Sequence, residues 1–160
     1  ARMPKPLFTK IDITNLISRS FELHSLSEKN IKFAFNKGKK IFYVNGDEEQ
    51  LNRVFMNLLK NSIESIHEKK SKNVDFKGKI NVDIKGDSDY IYVTITDNGV
   101  GFDQVDKLKM LTPYFTTKEK GTGLGLAIVS KVISDHNSTI LFDSIDDGAK
   151  IEIIIPKYHE

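Results

Sequence analysis

With 160 residues, 39% of them hydrophobic and 29% charged, the chain has the length and balance of one globular domain with an ordinary core, which excludes a disordered segment. Twenty-four Lys and Arg face 22 Asp and Glu, a formal charge of +2, so no broad phosphate-tracking surface is expected and nucleic acid is not a partner. The absence of cysteine excludes disulfides, thiolate metal sites and a cysteine nucleophile, and suits a reducing compartment, while no apolar run approaches the roughly 18 residues of a membrane span.

The first ten residues, ARMPKPLFTK, hold two of the four prolines and no periodicity, and they read as a linker. From Asp12, a candidate N-cap, Ile13, Leu16, Ile17, Phe21 and Leu23 mark a helical stripe. IKFAF and KIFYV, separated by NKGK, predict two short strands joined by a glycine-containing turn. A longer helix starts at Asp47, with Gln50 three residues on in the form of a capping box. Leu51, Val54, Phe55, Leu58, Leu59, Ile63 and Ile66 carry its apolar face to about His67. The Lys-rich stretch from Lys69 to Lys79 reads as a solvated loop. Ile80, Val82 and Ile84, then Ile91, Val93 and Ile95, alternate with polar residues and predict two strands with a turn at Asp87-Ser88-Asp89. Residues 99–125 are rich in Gly, Thr and Lys, with a short helix expected near Val105 to Leu111. A last helix is predicted from Leu124 to His136, then a hairpin from Thr139 to Asp143 and from Lys150 to Ile155. The order predicts an α+β two-layer sandwich, a mixed and mostly antiparallel sheet covered by helices.

Four short segments carry chemistry. In DNGVGF, Asp97 falls in phase with Ile91, Val93 and Ile95, so its carboxylate points to the apolar face, where it needs donors. Gly99 and Gly101 clear side chains from the next loop, so a flat ligand with an exocyclic amine could approach; a plain strand-ending turn fits the same residues. In NLLKN, Asn57 and Asn61 share one helix face at spacing i, i+4. A carboxamide oxygen suits Mg²⁺, although two ordinary polar-face residues would look alike. GTGLGL, with Gly121, Thr122, Gly123, Leu124 and Gly125, leads into a helix and offers backbone N–H groups to phosphate; a flexible connector is the competing reading. It is neither a Walker A loop nor a dinucleotide fingerprint. In PYFTTK, Phe115 reads as a hydrophobic pin and Thr116, Thr117 and Lys118 as polar and cationic groups near a polyphosphate. Loops of such length are often lids, and a packed surface loop is the alternative.

In this order and spacing the four segments resemble the N box, first glycine box, F box and second glycine box of one family. It is the ATP-binding catalytic domain of sensor histidine kinases, within the gyrase, chaperone, kinase and mismatch-repair ATPase superfamily. The resemblance covers residues 12–156 and implies a Bergerat-type fold, with residues 1–11 as a linker from a dimerisation domain and 157–160 as a tail. The opening ARMPKP further resembles nitrogen-regulation sensor kinases. By resemblance, Asn61 holds Mg²⁺ on the ATP phosphates with Asn57 lining the same site. Asp97 takes the adenine amine, directly and through water, over a floor shaped by Gly99 and Gly101. Gly121, Gly123 and Gly125 hinge a lid and contact phosphate, and Lys118 is a phosphate-side cation. The gyrase and chaperone ATPases carry a Glu one turn before the metal-binding Asn. Asn57 stands there in this chain, an amide unable to activate water, which leaves the γ-phosphate to a better nucleophile.

That nucleophile is not among His24, His67, His136 and His159, none of which has the family's acceptor context. His24 reads as a packed histidine; His67 and His136 read as residues at helix ends. The resemblance therefore implies an acceptor histidine on a separate dimerisation domain, relay to a response regulator, and a parent chain that is an inner-membrane sensor. The isolated domain is then cytoplasmic and monomeric. An anti-sigma-factor-type serine kinase and a non-catalytic nucleotide-gated module remain alternatives. One departure stands out: many relatives carry Gly-Thr where this chain has Gly148-Ala149-Lys150.

Overall fold

A computed structural model of the chain describes residues 4–102 and 124–160. In order the elements are β1 (Thr9–Asp12), α1 (Ile13–Ser27), β2 (Ile31–Asn36), β3 (Tyr43–Gly46), α2 (Glu48–Lys72), β4 (Gly78–Gly86) and β5 (Tyr90–Asp97). After the undescribed segment come α3 (Leu124–Asp135), β6 (Thr139–Ile145) and β7 (Gly148–Pro156). The main sheet has five strands in the order β2-β4-β5-β7-β6, and β1 pairs with β3 in a separate ribbon. Only β2 and β4 run parallel in the main sheet; its other pairs are antiparallel. The mixed, mostly antiparallel α+β sandwich predicted above is what forms.

Helix α1 begins where the Asp12 carboxylate accepts the Asn15 N–H at 2.8 Å, closing an otherwise unpaired donor of the first turn. It buries Ile13, Leu16, Ile17 and Phe21. Leu23, expected on that stripe, lies at its edge and is 59% exposed. Helix α2 is capped by Asp47, which accepts the Gln50 N–H at 3.0 Å and the Leu7 N–H at 2.8 Å; a cap of this kind contributes about 1 kcal/mol. Those two bonds, with burial opposing them, leave the Asp47 carboxyl below its ordinary range. The helix continues to Lys72, beyond the expected end near His67. Lys and Glu are good helix formers, and Lys69, Lys70 and Lys72 sit favourably at the negative end of the dipole. The expected Lys-rich loop therefore shrinks to residues 73–77, and His67 lies within the helix, bonded to Glu28 at 3.0 Å.

Two further expectations are corrected by long-range pairing. The hairpin between IKFAF and KIFYV does not form, although Gly38 does adopt a positive φ of 64°. Phe33 and Phe35 instead pack their rings 5.3 and 5.2 Å from Phe21 of α1, which keeps β2 beside β4. β3 turns away to β1, with Ile11 opposite buried Val44. The same pairing draws residues 9–11 out of the presumed linker and into a strand that ends at Asp12.

A single apolar cluster fills the space between the helices and one face of the sheet, with Phe55, Leu58 and Leu59 of α2 and Ile80, Val93 and Ile153 of the strands fully buried or nearly so. His136, just after α3, is buried and ties that helix to the start of α2. Its Nδ1 is 2.7 Å from the Val132 carbonyl and its Nε2 accepts the Asp47 N–H at 3.0 Å, which places the proton on Nδ1. His24 is half-buried, with Nδ1 2.9 Å from the Ser20 carbonyl.

Candidate functional site

Strand β5 alternates apolar residues into the core, and Asp97 ends that series as a carboxylate only 6% exposed. Burial pushes its carboxyl above the ordinary value, because the charged form loses water. The Gly99 N–H, 2.8 Å from Oδ1, opposes that rise, as do the Ser62 hydroxyl, the Ala149 N–H and the Lys69 ammonium, without cancelling it. The Ser62 hydroxyl lies close to the acid, yet makes no hydrogen bond of ordinary geometry and is itself buried. Ala149 faces Asp97 directly in the β5–β7 register.

The turn after Asp97 is clamped from α2. Val100 donates its N–H to Ser65 Oγ at 2.9 Å, and Lys69 donates to the Asn98 and Gly99 carbonyls at 3.1 and 3.4 Å. The Lys69 ammonium also sits 4.8 Å over the Phe76 ring, a contact that favours the cation. Asn98 bridges to the start of β4, accepting the Lys79 N–H at 2.7 Å and donating to the Lys77 carbonyl at 3.0 Å. A side chain on Gly99 would stand 2.8 Å from the Ser65 carbonyl carbon, and one on Gly101, where φ is +74°, would stand 2.7 Å from the Gly148 carbonyl. The room these glycines leave is thus filled by protein, where the sequence reading gives it to a ligand. Phe102 closes the turn against β6, donating its N–H to Ser144 Oγ at 2.9 Å.

Asn57, Asn61, Ser65 and Lys69 recur every fourth residue of α2 and form one half-buried polar stripe. Its lower end meets α3: a side chain on Gly125 would approach Asn57 Cγ to 3.9 Å. The structure therefore brings together Asp97, Gly99, Gly101, Asn57, Asn61 and Gly125. Leu124 is the first residue of α3. Phe115, Thr116, Thr117, Lys118, Gly121, Thr122 and Gly123 lie outside the described residues, as does the expected helix near Val105 to Leu111. Ser62, Ser65 and Lys69 were not legible as site residues, although the last two simply extend the Asn57–Asn61 spacing. Two surface clefts, of about 250 and 630 Å³, open beside His136 and beside Asp47, and neither is lined by Asp97 or Asn61.

A mixed sheet covered on one face by helices, with a sealed acid at the end of a central strand and an amide-bearing helix beside it, is the arrangement of an ATP-binding fold. Residues 46–159 match the family described as histidine kinase-, DNA gyrase B- and HSP90-like ATPase, and the chain belongs to that family. It is 39% identical over 154 residues to a protein of Rickettsia conorii named as an NtrY-like sensor histidine kinase, covering 96% of this chain and 25% of the relative. The chain thus spans about a quarter of the length of such relatives. A nucleotide-free catalytic domain of the histidine kinase ThkA superimposes with a TM-score of 0.82 at 29% identity, over 94% of this chain and 98% of that one. ThkA in complex with the response regulator protein TrrA gives 0.79 at 25% identity, over 96% of this chain and 42% of that one. No described helix is long and apolar enough to cross a membrane.

Proposed function

We propose that this chain is the MgATP-binding catalytic module of a two-component sensor kinase. In this reading it transfers the ATP γ-phosphate to a histidine on a separate dimerisation domain, for relay to an aspartate of a response regulator. The observation that carries it is the buried Asp97 carboxylate held in the Gly99 turn beside the buried Ser62 hydroxyl, an acid that fits the amine edge of adenine. The names of the relatives, and the response-regulator complex of ThkA, support the rest. The catalytic unit then starts at Thr9 of β1, with the preceding residues leading from the dimerisation helices. It lies in the cytoplasm and is monomeric by itself, and its parent is a membrane-anchored sensor.

Asn61 would supply one carboxamide oxygen to a Mg²⁺ that takes its remaining ligands from phosphate and water, a donor set this ion accepts. When bound, that cation offsets the charge of the triphosphate. Asn57, half-buried one turn earlier, has no basic atom with which to deprotonate water, so hydrolysis stays slow and the phosphoryl group waits for an imidazole. Lys118, with Gly121, Gly123 and Gly125, would hold the phosphates from the lid side. Asn61→Ala is expected to lower affinity for MgATP about tenfold while leaving binding of metal-free ATP unchanged; equal losses in magnesium and in chelator would remove the metal role. Incubation with γ-labelled ATP and an added dimerisation domain tests the whole reading. Label that is transferred, resists base and is lost in acid supports it; acid-stable label points to a serine acceptor, and no transfer overturns it.

A further inference from the structure

Asp47 and Gln50 have the form of a capping box, in which the Gln50 side chain accepts the Asp47 N–H. The structure completes only half of it. Asp47 Oδ1 accepts the Gln50 N–H at 3.0 Å, but the Asp47 N–H goes to His136 Nε2 instead, also at 3.0 Å. Gln50 turns to the entering chain, donating its Nε2 to the Pro4 carbonyl at 2.9 Å. Its Oε1 is left buried, with no partner among the described residues. Protein interiors keep few such orphaned acceptors without cause. The rest of the entering segment is held at the same place. Leu7 donates its N–H to Asp47 Oδ2 at 2.8 Å, and the Phe8 ring meets the His136 imidazole edge to face, centroids 5.0 Å apart.

We propose that His136 is a pH-sensitive latch on residues 4–8, closed by the neutral imidazole and opened when the ring takes a proton. Nε2 accepts the Asp47 N–H only while it carries no hydrogen. The Nδ1 hydrogen is committed to the Val132 carbonyl at 2.7 Å, so a second proton enters at Nε2. Two N–H groups then face each other 3.0 Å apart, and an attraction becomes a repulsion. Gln50 Oε1, orphaned and three residues on, is the acceptor that a capping box assigns to this donor. Taking the Asp47 N–H completes the box and turns the Gln50 amide away from Pro4. The displaced imidazolium has the cleft of about 250 Å³ to turn into, and it has the Asp47 carboxylate, which its charge stabilises, to bond. That carboxylate also holds Leu7, so both straps loosen together. Of the other titratable groups near the ring, Lys157, Tyr158 and His159 line the same cleft, with Lys157 bonded to the Asp87 carbonyl. Asp135, at the end of α3, pairs with Lys131. In the reading above, this segment leads in from the dimerisation helices, and the latch sets how freely the catalytic unit swings. The latch itself does not depend on nucleotide binding.

Nuclear magnetic resonance of the whole chain tests this, following the His136 ring signals and the amide exchange of Leu7 and Asp47. Imidazoles titrate between about pH 8 and pH 5, whereas the Asp47 carboxyl, held below its ordinary 3.8, stays charged there. Protection of the Leu7 N–H is expected to fall as His136 titrates, by up to about tenfold per pH unit, the slope of one coupled proton. The Asp47 N–H should stay protected throughout, since it only changes acceptor. Gln50→Leu removes the second acceptor, and there the Asp47 N–H should lose protection over the same range. His136→Gln cannot take the proton and offers an amide oxygen to Asp47, so it should hold Leu7 at every pH. The latch is overturned if His136 stays neutral down to pH 5, if Leu7 keeps its protection while His136 titrates, or if the loss persists in His136→Gln. An Asp47 N–H that loses protection in the wild type too, or keeps it in Gln50→Leu, overturns the handover to Gln50. Should either variant fail to fold, the wild-type titration decides alone, because Leu7 and Asp47 must respond oppositely.

Discussion

Asp97→Asn is expected to weaken ATP binding by about 1.5–3 kcal/mol, the scale of a hydrogen bond to a charged group, without destabilising the nucleotide-free protein at neutral pH. Titration of ATP reads the first effect, and unchanged affinity would remove the adenine role of the acid. The second follows from the sign of the carboxyl shift. Burial holds the folded-state pKa above the ordinary 3.8, so the folded protein keeps this proton more readily than the unfolded chain. The stability contributed by that proton is complete below the unfolded value and is lost as pH rises through the folded one. At neutral pH the wild type therefore carries a buried charge at net cost, which the neutral amide avoids. Unfolding of the two proteins compared from neutral to acidic pH should show the variant's relative advantage shrink as the wild-type acid protonates. ATP affinity of the wild type should fall over the same window, since a protonated carboxyl accepts poorly. A functional group that costs the empty protein stability is what a binding site predicts and a purely structural acid does not.

The elements that sequence makes legible are those whose signals are local and repeated. Helix α2 announces itself through Asp47, Gln50 and seven apolar residues at helical spacing, and β5 through an alternation that carries Asp97 inward. Where two locally valid readings compete, the chain decides by contacts far apart in sequence. The β2 and β3 segments satisfy the rule for a hairpin, turn glycine included, yet Phe33 and Phe35 find Phe21 while Val44 finds Ile11. No window of a few residues holds that information. Lys69 is hidden for a related reason: a lysine run reads as solvated until the helix beneath it is seen to continue, and only then do its bonds to Asn98 and Gly99 become possible. Ser62 lies between Asn61 and Ile63 on a helix full of stronger signals, and a buried hydroxyl has no sequence mark. The glycines teach the opposite lesson. Gly99 and Gly101 are legible as special positions, but their clearance serves the approach of Ser65 and of the Gly148 carbonyl.

That approach makes Gly148 the backbone position whose substitution should do most harm. Its φ is +142°, and a methyl group there would run into the Asp97 carbonyl and stand 2.7 Å from the Asn98 Cα. The backbone of Asp97 and Asn98 cannot yield as a flexible side chain would. Gly148→Ala is therefore expected to cost about 2–5 kcal/mol, overpacking and an unfavourable backbone conformation acting together. It should also lower ATP affinity in the fraction that remains folded, because the β5–β7 register at Ala149 is what seats Asp97. Ile17→Ala provides the contrast. Ile17 is 1% exposed on α1, and its truncation should cost a comparable 2–5 kcal/mol while leaving Asp97 in place. At a temperature where both variants are folded, Ile17→Ala should bind ATP as the wild type does and Gly148→Ala should not. Equal affinities would mean that Asp97 is seated by the α2 clamp of Ser65 and Lys69 alone, with no contribution from the close approach of β7.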